Sequence, residues 1–333
     1  MVSEENITDI TIIGGGPIGM FAAFYAGMRN AKTKLIETLP VLGGQVALLY
    51  PDKTIYDIGG YAAVTGKELI RQLTAQMQLF DTTLCMEEKV LKVEKNDEDI
   101  FELTTNKGIH YSKSIIITTG QGAFKPRKLS LEHAEQFEDH SLHYIVNNIE
   151  QYKDKTVAIC GGGDSAVDWA LTLESVAKKV YLIHRRDKFR AHEATVEQVK
   201  QSSIELLTPY VPEALHGEGN QLSSIVLKEA KGNRTKTIDL DFFVVSYGFS
   251  SSVGPLKDWH VDLEKSEILV NQKMETSVEG IYAAGDISTY DGKIKLIATG
   301  FGEAPIAVNH AVHYIHPEEH TQPYLSTNLS FDE

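Results

Sequence analysis

Residues 9–19 read DITIIGGGPIG, a short β-rich run that passes directly into a glycine-rich turn. The apolar stretch 20–28 that follows is predicted to be a helix, and residues 34–37 are predicted to be the next strand. Strand, glycine turn, helix and strand in this order are typical of a βαβ unit in an α/β domain.

The turn has the spacing G-x-G-x-x-G at Gly14, Gly16 and Gly19, with Pro17 inside it. Gly14 permits the tight turn, Gly16 lets a pyrophosphate approach the main chain, and Gly19 lets helix and strand pack closely. The N–H groups at the start of the helix attract phosphate. Glu37 lies 23 residues after Gly14, where a carboxylate suits a ribose with free hydroxyls, as in FAD or NAD. A turn without a ligand is the alternative, and the register of all these features argues against it.

The same order returns later in the chain, with a strand predicted at 156–160, a helix at 167–177 and a strand at 180–183. The turn between them contains Gly161, Gly163, Asp164, Ser165 and Ala166. These residues repeat the dinucleotide pattern with alanine in the third place.

Charge at the equivalent position separates the two units. Counting 23 residues from Gly161 gives His184, and Arg185, Arg186 and Arg190 follow. A carboxylate there would repel a ribose 2′-phosphate, whereas guanidinium groups bind it in bidentate fashion. The second unit is therefore predicted to bind NADP(H). A solvated basic turn is the alternative.

Strand-like segments and a third helix fill the rest of the chain. Strands are predicted at 90–94, 101–105, 114–119, 224–227, 238–241 and 242–246, and a helix at 304–315 after the segment Gly280-Ile281-Tyr282-Ala283-Ala284-Gly285-Asp286. The predicted fold class is α/β, with two Rossmann-like, three-layer ββα nucleotide-binding domains, the second inserted in the first. Residues 1–119 and 249–333 are predicted to form the FAD-binding domain, and residues 120–248 the NADPH-binding domain.

Composition excludes several classes of protein. The 333 residues suit two domains, and a net charge of −14 argues against a nucleic-acid binder. The sequence has no run of about 18 apolar residues for a membrane span, and its acidic first residues do not resemble a signal peptide. A cytoplasmic location is therefore predicted. The two cysteines, Cys85 and Cys160, form neither a CxxC nor a zinc motif, so no metal site and no disulfide relay are predicted.

Several longer motifs resemble those of thioredoxin-reductase-like flavoproteins, and most closely the ferredoxin–NADP⁺ reductases of that type in bacteria. They are Leu42-Gly43-Gly44-Gln45, Leu49-Tyr50-Pro51, residues 122–127 (GAFKPR), 161–168, 184–192, Ala283-Ala284-Gly285-Asp286 and residues 300–305 (GFGEAP). The resemblance runs nearly end to end. A thioredoxin reductase carries a redox-active CxxC, which this chain lacks.

The resemblance implies which residues hold FAD. Tyr50 would stack on one face of the flavin, and Asp286 would bind near the ribitol. Further FAD contacts are implied for Gly44, Gln45, Val90, Phe124 and Thr327. Relatives often cover the second flavin face with a histidine where this chain has Leu325, so either Tyr324 or leucine takes that role here.

The resemblance also implies the reaction. Hydride passes between NADPH C4 and flavin N5, and the flavin then transfers single electrons to ferredoxin or flavodoxin. No protein acid, base or nucleophile is required, because the cofactors carry the chemistry. Lys125, Arg127 and Lys128 are candidates for a basic docking patch, and a homodimer is expected. A low-specificity NADPH diaphorase or quinone reductase and a flavin-bearing redox sensor are the alternatives.

Overall fold

The apolar strand before the first glycine turn lies in the middle of a largely parallel sheet. The computed structural model describes residues 4–120, 122–146, 148–252, 254–318 and 326–328. The chain divides into two units: the first unit is Met1–Phe124 with Ser251–Glu333, and the second unit is Lys125–Ser250.

The strands and helices follow one another in this order. The strands are β1 (Ile7–Ile13), β2 (Thr33–Ile36), β3 (Thr54–Ile55), β4 (Val64–Thr65), β5 (Thr82–Cys85), β6 (Val90–Lys95), β7 (Phe101–Thr105), β8 (Ile109–Ile117), β9 (Ala123–Pro126), β10 (Leu142–His143), β11 (Thr156–Gly161), β12 (Lys179–Ile183), β13 (Glu205–Leu207), β14 (Tyr210–Glu218), β15 (Gln221–Glu229), β16 (Thr235–Asp239), β17 (Phe242–Ser246), β18 (Phe249–Ser252), β19 (Leu263–Glu264), β20 (Glu267–Leu269), β21 (Ile281–Ala283) and β22 (Ser288–Thr289). The helices are α1 (Pro17–Met28), α2 (Gly44–Leu49), α3 (Gly66–Met77), α4 (Ala134–Phe137), α5 (Asp164–Glu174), α6 (Glu193–Gln201) and α7 (Ile297–Ile315). Short 3₁₀ turns are formed by Glu4–Asn6, Glu150–Tyr152, Gly254–Asp258 and Ser326–Asn328.

The main sheet of the first unit has the strand order β5-β2-β1-β8-β7-β6. Strands β5, β2, β1 and β8 are parallel, while β8, β7 and β6 are antiparallel. One edge of β8 is shared, because its first half pairs with β7 and residues 115–117 pair in parallel with β21. The carboxyl ends of β1, β2, β8 and β21 therefore meet at one edge of the sheet, where α/β folds bind ligands.

Helices α1 and α7 pack against each other beside this sheet. Their buried faces are rich in small side chains, which lets the helix backbones approach closely. These residues are Gly19, Ala22, Ala23 and Ala26 of α1, and Gly300, Ala304, Ala307 and Ala311 of α7. The amphipathic helix α3 also packs against α1 and buries Leu69, Leu73 and Met77.

The second unit is a three-layer structure. Its parallel sheet has the order β10-β17-β11-β12-β13, and a three-stranded antiparallel sheet has the order β14-β15-β16. Alternate residues of β11 sort onto opposite faces. Ala158 and Cys160 share a core with Ile225 and Leu227 of β15, while Val157 and Ile159 share a core with α5. This is the predicted ββα arrangement.

Element boundaries differ from the prediction mainly at the helix starts. Helix α5 begins at Asp164 and ends at Glu174, three residues earlier at each end than predicted, because the turn itself starts the helix. Helix α7 begins at Ile297 rather than at 304, and Pro305 lies inside it. Within the described ranges, no helix is both long enough and apolar enough to cross a membrane.

Candidate functional site

The first glycine turn is shaped by two close backbone contacts and one open space. A Cβ on Gly14, whose φ is +111°, would lie 2.6 Å from the carbonyl oxygen of Thr118. A Cβ on Gly19 would lie 1.8 Å from the carbonyl oxygen of Gly14. A Cβ on Gly16, by contrast, would meet no atom within 4 Å. Gly14 and Gly19 are therefore needed for packing, whereas Gly16 leaves room for a phosphate at the start of α1, whose first residue is Pro17.

A second turn, at Gly43 and Gly44, lies against the first. The Gly43 N–H donates to the carbonyl of Gly15 at 2.8 Å, and a Cβ on Gly44 would lie 3.3 Å from the Gly16 Cα. Both have positive φ, +109° and +51°, which glycine adopts without strain. The structure thus brings the Gly43-Gly44 turn to the open space in front of Gly16.

Glu37 follows β2 and points into the first glycine turn. Its Oε2 accepts the Gly15 N–H at 2.6 Å, and its Oε1 accepts the Leu39 N–H at 2.8 Å. Burial raises the pKa of Glu37, although these backbone donors oppose the rise. Each carboxylate oxygen keeps a lone pair that a ribose hydroxyl can use. The carboxylate therefore also holds the turn itself, a role that the sequence did not indicate.

Asp286 follows β21 at the same edge of the sheet. Burial raises the pKa of its carboxyl, and the positive charges of Lys295 and Lys293 oppose the rise. Burial also raises the pKa of Tyr50, and the charge of Asp286 raises it further, so the two side chains share one electrostatic environment. Tyr50 is half-buried after α2.

A buried ion pair supports the Asp286 turn. Glu303, in α7, accepts the Gly285 N–H at 2.8 Å with Oε2 and the Tyr290 hydroxyl at 2.7 Å with Oε1. Lys293 donates to the same Oε1, and both charged side chains are only 4% exposed. Sequence reasoning missed this group. The sequence does contain one indication of a buried charged group, which is the single glutamate inside the apolar run ATGFGEAPIAV, residues 298–308.

One buried hydroxyl at this edge is left without a partner. Thr119 Oγ1 is buried and makes no hydrogen bond, and the Thr119 Cα would lie 3.0 Å from a Cβ on Gly14. An orphaned buried polar group of this kind is uncommon and fits a site that a polar ligand completes. The open space at Gly16, the Glu37 carboxylate and this hydroxyl together fit an adenine dinucleotide.

The remaining predicted FAD residues are only partly located. Val90 is buried at the start of β6, and the Nε2 of Gln45 would lie 3.3 Å from a Cβ on Gly120. Phe124 belongs to β9, but its side chain lies outside what the structure describes. Tyr324 and Leu325 lie outside the described residues, and Thr327 is exposed in the last 3₁₀ turn.

The glycine turn of the second unit repeats the crowded first position and the open middle position of the first turn, although Gly161 still belongs to β11 and lacks the positive φ of Gly14. A Cβ on Gly161 would lie 2.5 Å from the carbonyl oxygen of Ser246, while a Cβ on Gly163 would meet nothing within 4 Å. Ala166 is buried, and Asp164 and Ser165 are exposed at the start of α5. Asp164 Oδ1 accepts the His192 N–H at 2.9 Å, which ties the segment after β12 to the start of this helix.

The predicted basic segment lies on this turn. The ring of His184 packs under Gly162, where a Cβ would lie 2.1 Å from it, and lies tilted against the Phe189 ring with the centroids 5.0 Å apart. The Arg190 N–H donates to the Gly162 carbonyl at 2.7 Å. Burial lowers the pKa of His184, and the guanidinium charges of Arg185, Arg186 and Arg190 lower it further.

Arg185, Arg186 and Arg190 are all exposed. Among the described residues, none of the three has a carboxylate partner, and the nearby Asp187 accepts the Thr208 hydroxyl instead. Three guanidinium groups without carboxylate partners among the described residues give this segment the charge and donors that an anion such as a phosphate requires.

Comparison with known proteins gives consistent matches over almost the whole chain. The model of the pyridine nucleotide-disulphide oxidoreductase family matches residues 8–311. A ferredoxin–NADP reductase 2 of Listeria monocytogenes is 56% identical, and that of Bacillus subtilis is 54% identical, each over 99% of both chains. The solved thioredoxin reductase of Lactococcus lactis is 27% identical with a TM-score of 0.75, covering 92% of this chain and 99% of that one. The thioredoxin reductase of T. acidophilum is similar in fold, with a TM-score of 0.76 at 24% identity, covering 94% of this chain and 100% of that one.

Proposed function

Because this chain belongs to the pyridine nucleotide-disulphide oxidoreductases, and within them to the ferredoxin–NADP reductases, we propose that it passes electrons between NADPH and ferredoxin or flavodoxin through FAD. The observation that carries the proposal is the contrast in charge between two glycine turns that each leave open space at the middle glycine, Gly16 and Gly163. A buried carboxylate, Glu37, lies on the first turn, and three arginines without carboxylate partners among the described residues lie on the second.

The first unit is the proposed FAD site. FAD supplies the hydride and single-electron chemistry, between nicotinamide C4 and flavin N5 on one side and an iron–sulfur protein on the other. The protein's part is to hold the cofactor. The start of α1 receives the pyrophosphate in front of Gly16, and Glu37 accepts the ribose hydroxyls. Asp286 accepts ribitol hydroxyls, and Tyr50 covers one flavin face.

The second unit is the proposed NADPH site. Gly163, Asp164 and Ser165 present the N-terminus of α5 to the pyrophosphate. Arg185, Arg186 and Arg190 bind the 2′-phosphate that distinguishes NADPH from NADH. The lowered pKa of His184 keeps its imidazole neutral at pH 7, so the positive charge there comes from the arginines.

The two free cysteines support direct transfer from the flavin to the acceptor. Cys85 belongs to the first unit and Cys160 is buried in the second. Because the chain has no further cysteine, it has no adjacent pair that could relay electrons as a disulfide.

Docking of an acidic acceptor requires local positive charge, since the chain has a net charge of −14. Arg127 is exposed, as a docking residue must be, whereas the side chain of Lys125 lies outside what the structure describes. Lys128 pairs with Glu138, which weakens the patch proposed from Lys125, Arg127 and Lys128. We propose that Arg127 dominates this patch, that the enzyme is a homodimer, as the resemblance of its motifs suggests, and that it works in the cytoplasm, as its composition suggests.

Stopped-flow spectroscopy tests the function. The flavin is reduced by NADPH or NADH and then reoxidised by ferredoxin, flavodoxin or oxygen in parallel. We expect NADPH to reduce the flavin faster than NADH does. We also expect ferredoxin or flavodoxin to reoxidise the flavin faster than oxygen does. Comparable reoxidation by quinones and dyes, with no preference for a carrier, would identify a diaphorase. Slow reoxidation by every acceptor would identify a redox sensor.

A further inference from the structure

Three residues of the first unit form a cluster of metal-ligating side chains apart from the glycine turns. Cys85 ends β5, Glu88 lies in the following loop, and His110 is the second residue of β8. Their ligand atoms all lie within 4.8 Å of one another. Glu88 is buried, and Cys85 and His110 are half-buried.

We propose that Cys85, Glu88 and His110 bind a thiophilic divalent cation of the Zn²⁺ class. Zn²⁺ binds thiolate, imidazole and carboxylate at about 2.0–2.3 Å, which places ligand atoms in a tetrahedron about 3.4–3.6 Å apart. The His110 Nε2 lies 2.7 Å from Glu88 Oε1, and no ligand pair exceeds 4.8 Å. Side-chain movements of about 1 Å therefore produce the geometry, and water supplies the fourth ligand.

The surrounding backbone holds two of the ligands in place. The Cys85 carbonyl accepts the Glu37 N–H at 2.9 Å, and the Glu88 N–H donates to the Glu37 carbonyl at 2.9 Å. The Thr105 hydroxyl donates to Glu88 Oε1 at 2.5 Å. A ligand carboxylate fixed by a second hydrogen bond is a usual feature of metal sites in proteins.

Lys34 controls access to this site. Its Nζ lies 3.1 Å from His110 Nδ1 and donates to it, which directs the Nε2–H towards Glu88. When a cation binds at Nε2, the neutral imidazole carries its proton on Nδ1, which then faces the lysine as a second donor. Lys34 therefore weakens cation binding in two ways: its ammonium group faces another hydrogen-bond donor, and its positive charge repels the cation. A neutral residue at position 34 should strengthen cation binding.

The cluster is joined by backbone hydrogen bonds to Glu37, whose side chain is a proposed FAD contact. Both backbone hydrogen bonds of Glu37 go to residues of the cluster, so a bound cation orders the strand end that presents the Glu37 carboxylate. This coupling to FAD rests on the proposed function, whereas binding of the cation does not. A bound cation is expected to slow the release of FAD.

Isothermal titration of the chelator-treated holoenzyme with Zn²⁺ tests the site, with Mg²⁺ as the hard-cation control. We expect a single-site isotherm for Zn²⁺ and none for Mg²⁺, because thiolate and imidazole ligands select soft cations. Cys85→Ser and His110→Gln should each weaken Zn²⁺ binding at least ~10-fold, the lower bound even for loss of a supporting residue. The matched thiol control, Cys160→Ala, should bind as the wild type does.

Equal Zn²⁺ affinity of the wild type and Cys85→Ser would overturn the proposal, because the cation would then sit on surface carboxylates. Lys34→Met should bind Zn²⁺ about 10-fold more tightly than the wild type, because charge repulsion is relieved, and equal or weaker binding would also overturn the proposal. Far-UV circular dichroism and flavin absorbance check that each variant is folded. If Cys85→Ser does not fold, the Zn²⁺ affinities of His110→Gln and Lys34→Met test the site instead. Zn²⁺ binding without slower FAD release would refute the coupling alone.

Discussion

Replacing Glu303 with glutamine removes the negative charge from a buried ion pair while keeping the shape of the side chain. In the wild type, Oε1 accepts hydrogen bonds from Lys293 and Tyr290, and Oε2 accepts the Gly285 N–H. Glutamine has one acceptor oxygen in place of two, and its amide N–H groups cannot accept a hydrogen bond. Either Lys293 or Gly285 therefore loses its partner.

The size of the effect follows from burial. Both Lys293 and Glu303 are 4% exposed, so solvent does not compensate an unpaired ammonium. Removing one partner of a buried pair costs about 3–5 kcal/mol in the free energy of unfolding. In Lys293→Met/Glu303→Gln no buried charge remains, and the oxygen of the new side-chain amide is free for the Gly285 N–H. We expect the double variant to lose no more than about 1–2 kcal/mol.

Urea unfolding of the FAD-loaded enzyme, followed by flavin fluorescence and far-UV circular dichroism, measures these differences. Glu68→Gln is the matched control, because Glu68 pairs with Arg71 on an exposed helix face and its loss should have little effect. A Glu303→Gln variant within about 0.5 kcal/mol of the wild type would refute the reasoning. So would a double variant that loses the sum of the two single losses.

Three further predictions concern the proposed nucleotide sites. Gly16→Ala should fold normally but lose FAD, because its Cβ enters open space that the pyrophosphate needs. Gly19→Ala should fail to fold stably, because its Cβ would lie 1.8 Å from the Gly14 carbonyl oxygen. Flavin absorbance of the purified protein and its thermal transition distinguish the two effects, and FAD retained by Gly16→Ala would contradict the site. The Kd for FAD should rise as the pH falls towards the raised pKa of Glu37, because burial disfavours its carboxylate and the protonated carboxyl loses an acceptor for the ribose. Glu37→Gln should weaken binding at neutral pH and flatten this dependence, and an unchanged slope would exclude Glu37. Arg186→Ser should raise the KM for NADPH about 10- to 100-fold, the equivalent of one charge-assisted contact, with little change for NADH; Lys188→Ser, in the same exposed segment, is the control, and equal effects on both nucleotides would contradict a 2′-phosphate contact.

The sequence was sufficient for features that depend on neighbours along the chain. The two glycine turns and the residues 23 positions later could be predicted because strand, turn, helix and strand follow one another without a break. The structure places Glu37 and the segment around His184 on those turns, as the register requires. The ββα layers predicted for the second unit are also present, with β11 between α5 on one face and β15 on the other.

Features that depend on distant residues could not be predicted. The pairing of Glu303 with Lys293 and the Gly285 N–H requires the packing of α7, which no local pattern specifies. Helix α7 starts at Ile297, before the predicted 304, and contains Pro305, which tertiary packing tolerates although proline removes a helical hydrogen bond. Cys85 and Glu88 are three residues apart, but His110 comes from a different strand, and no local pattern brings it to them.

The strand pairing of β8 has a consequence for how the protein is made. Ile115–Ile117 is synthesised long before its partner β21, Ile281–Ala283, because the whole second unit is translated between them. During that interval the nascent chain exposes an unpaired, apolar strand edge, the kind of surface that aggregates or recruits chaperones. The second unit is continuous and can fold as it leaves the ribosome, whereas the first cannot close its sheet until residue 283 emerges. A gene rearranged to join residue 124 directly to residue 251 would remove the delay.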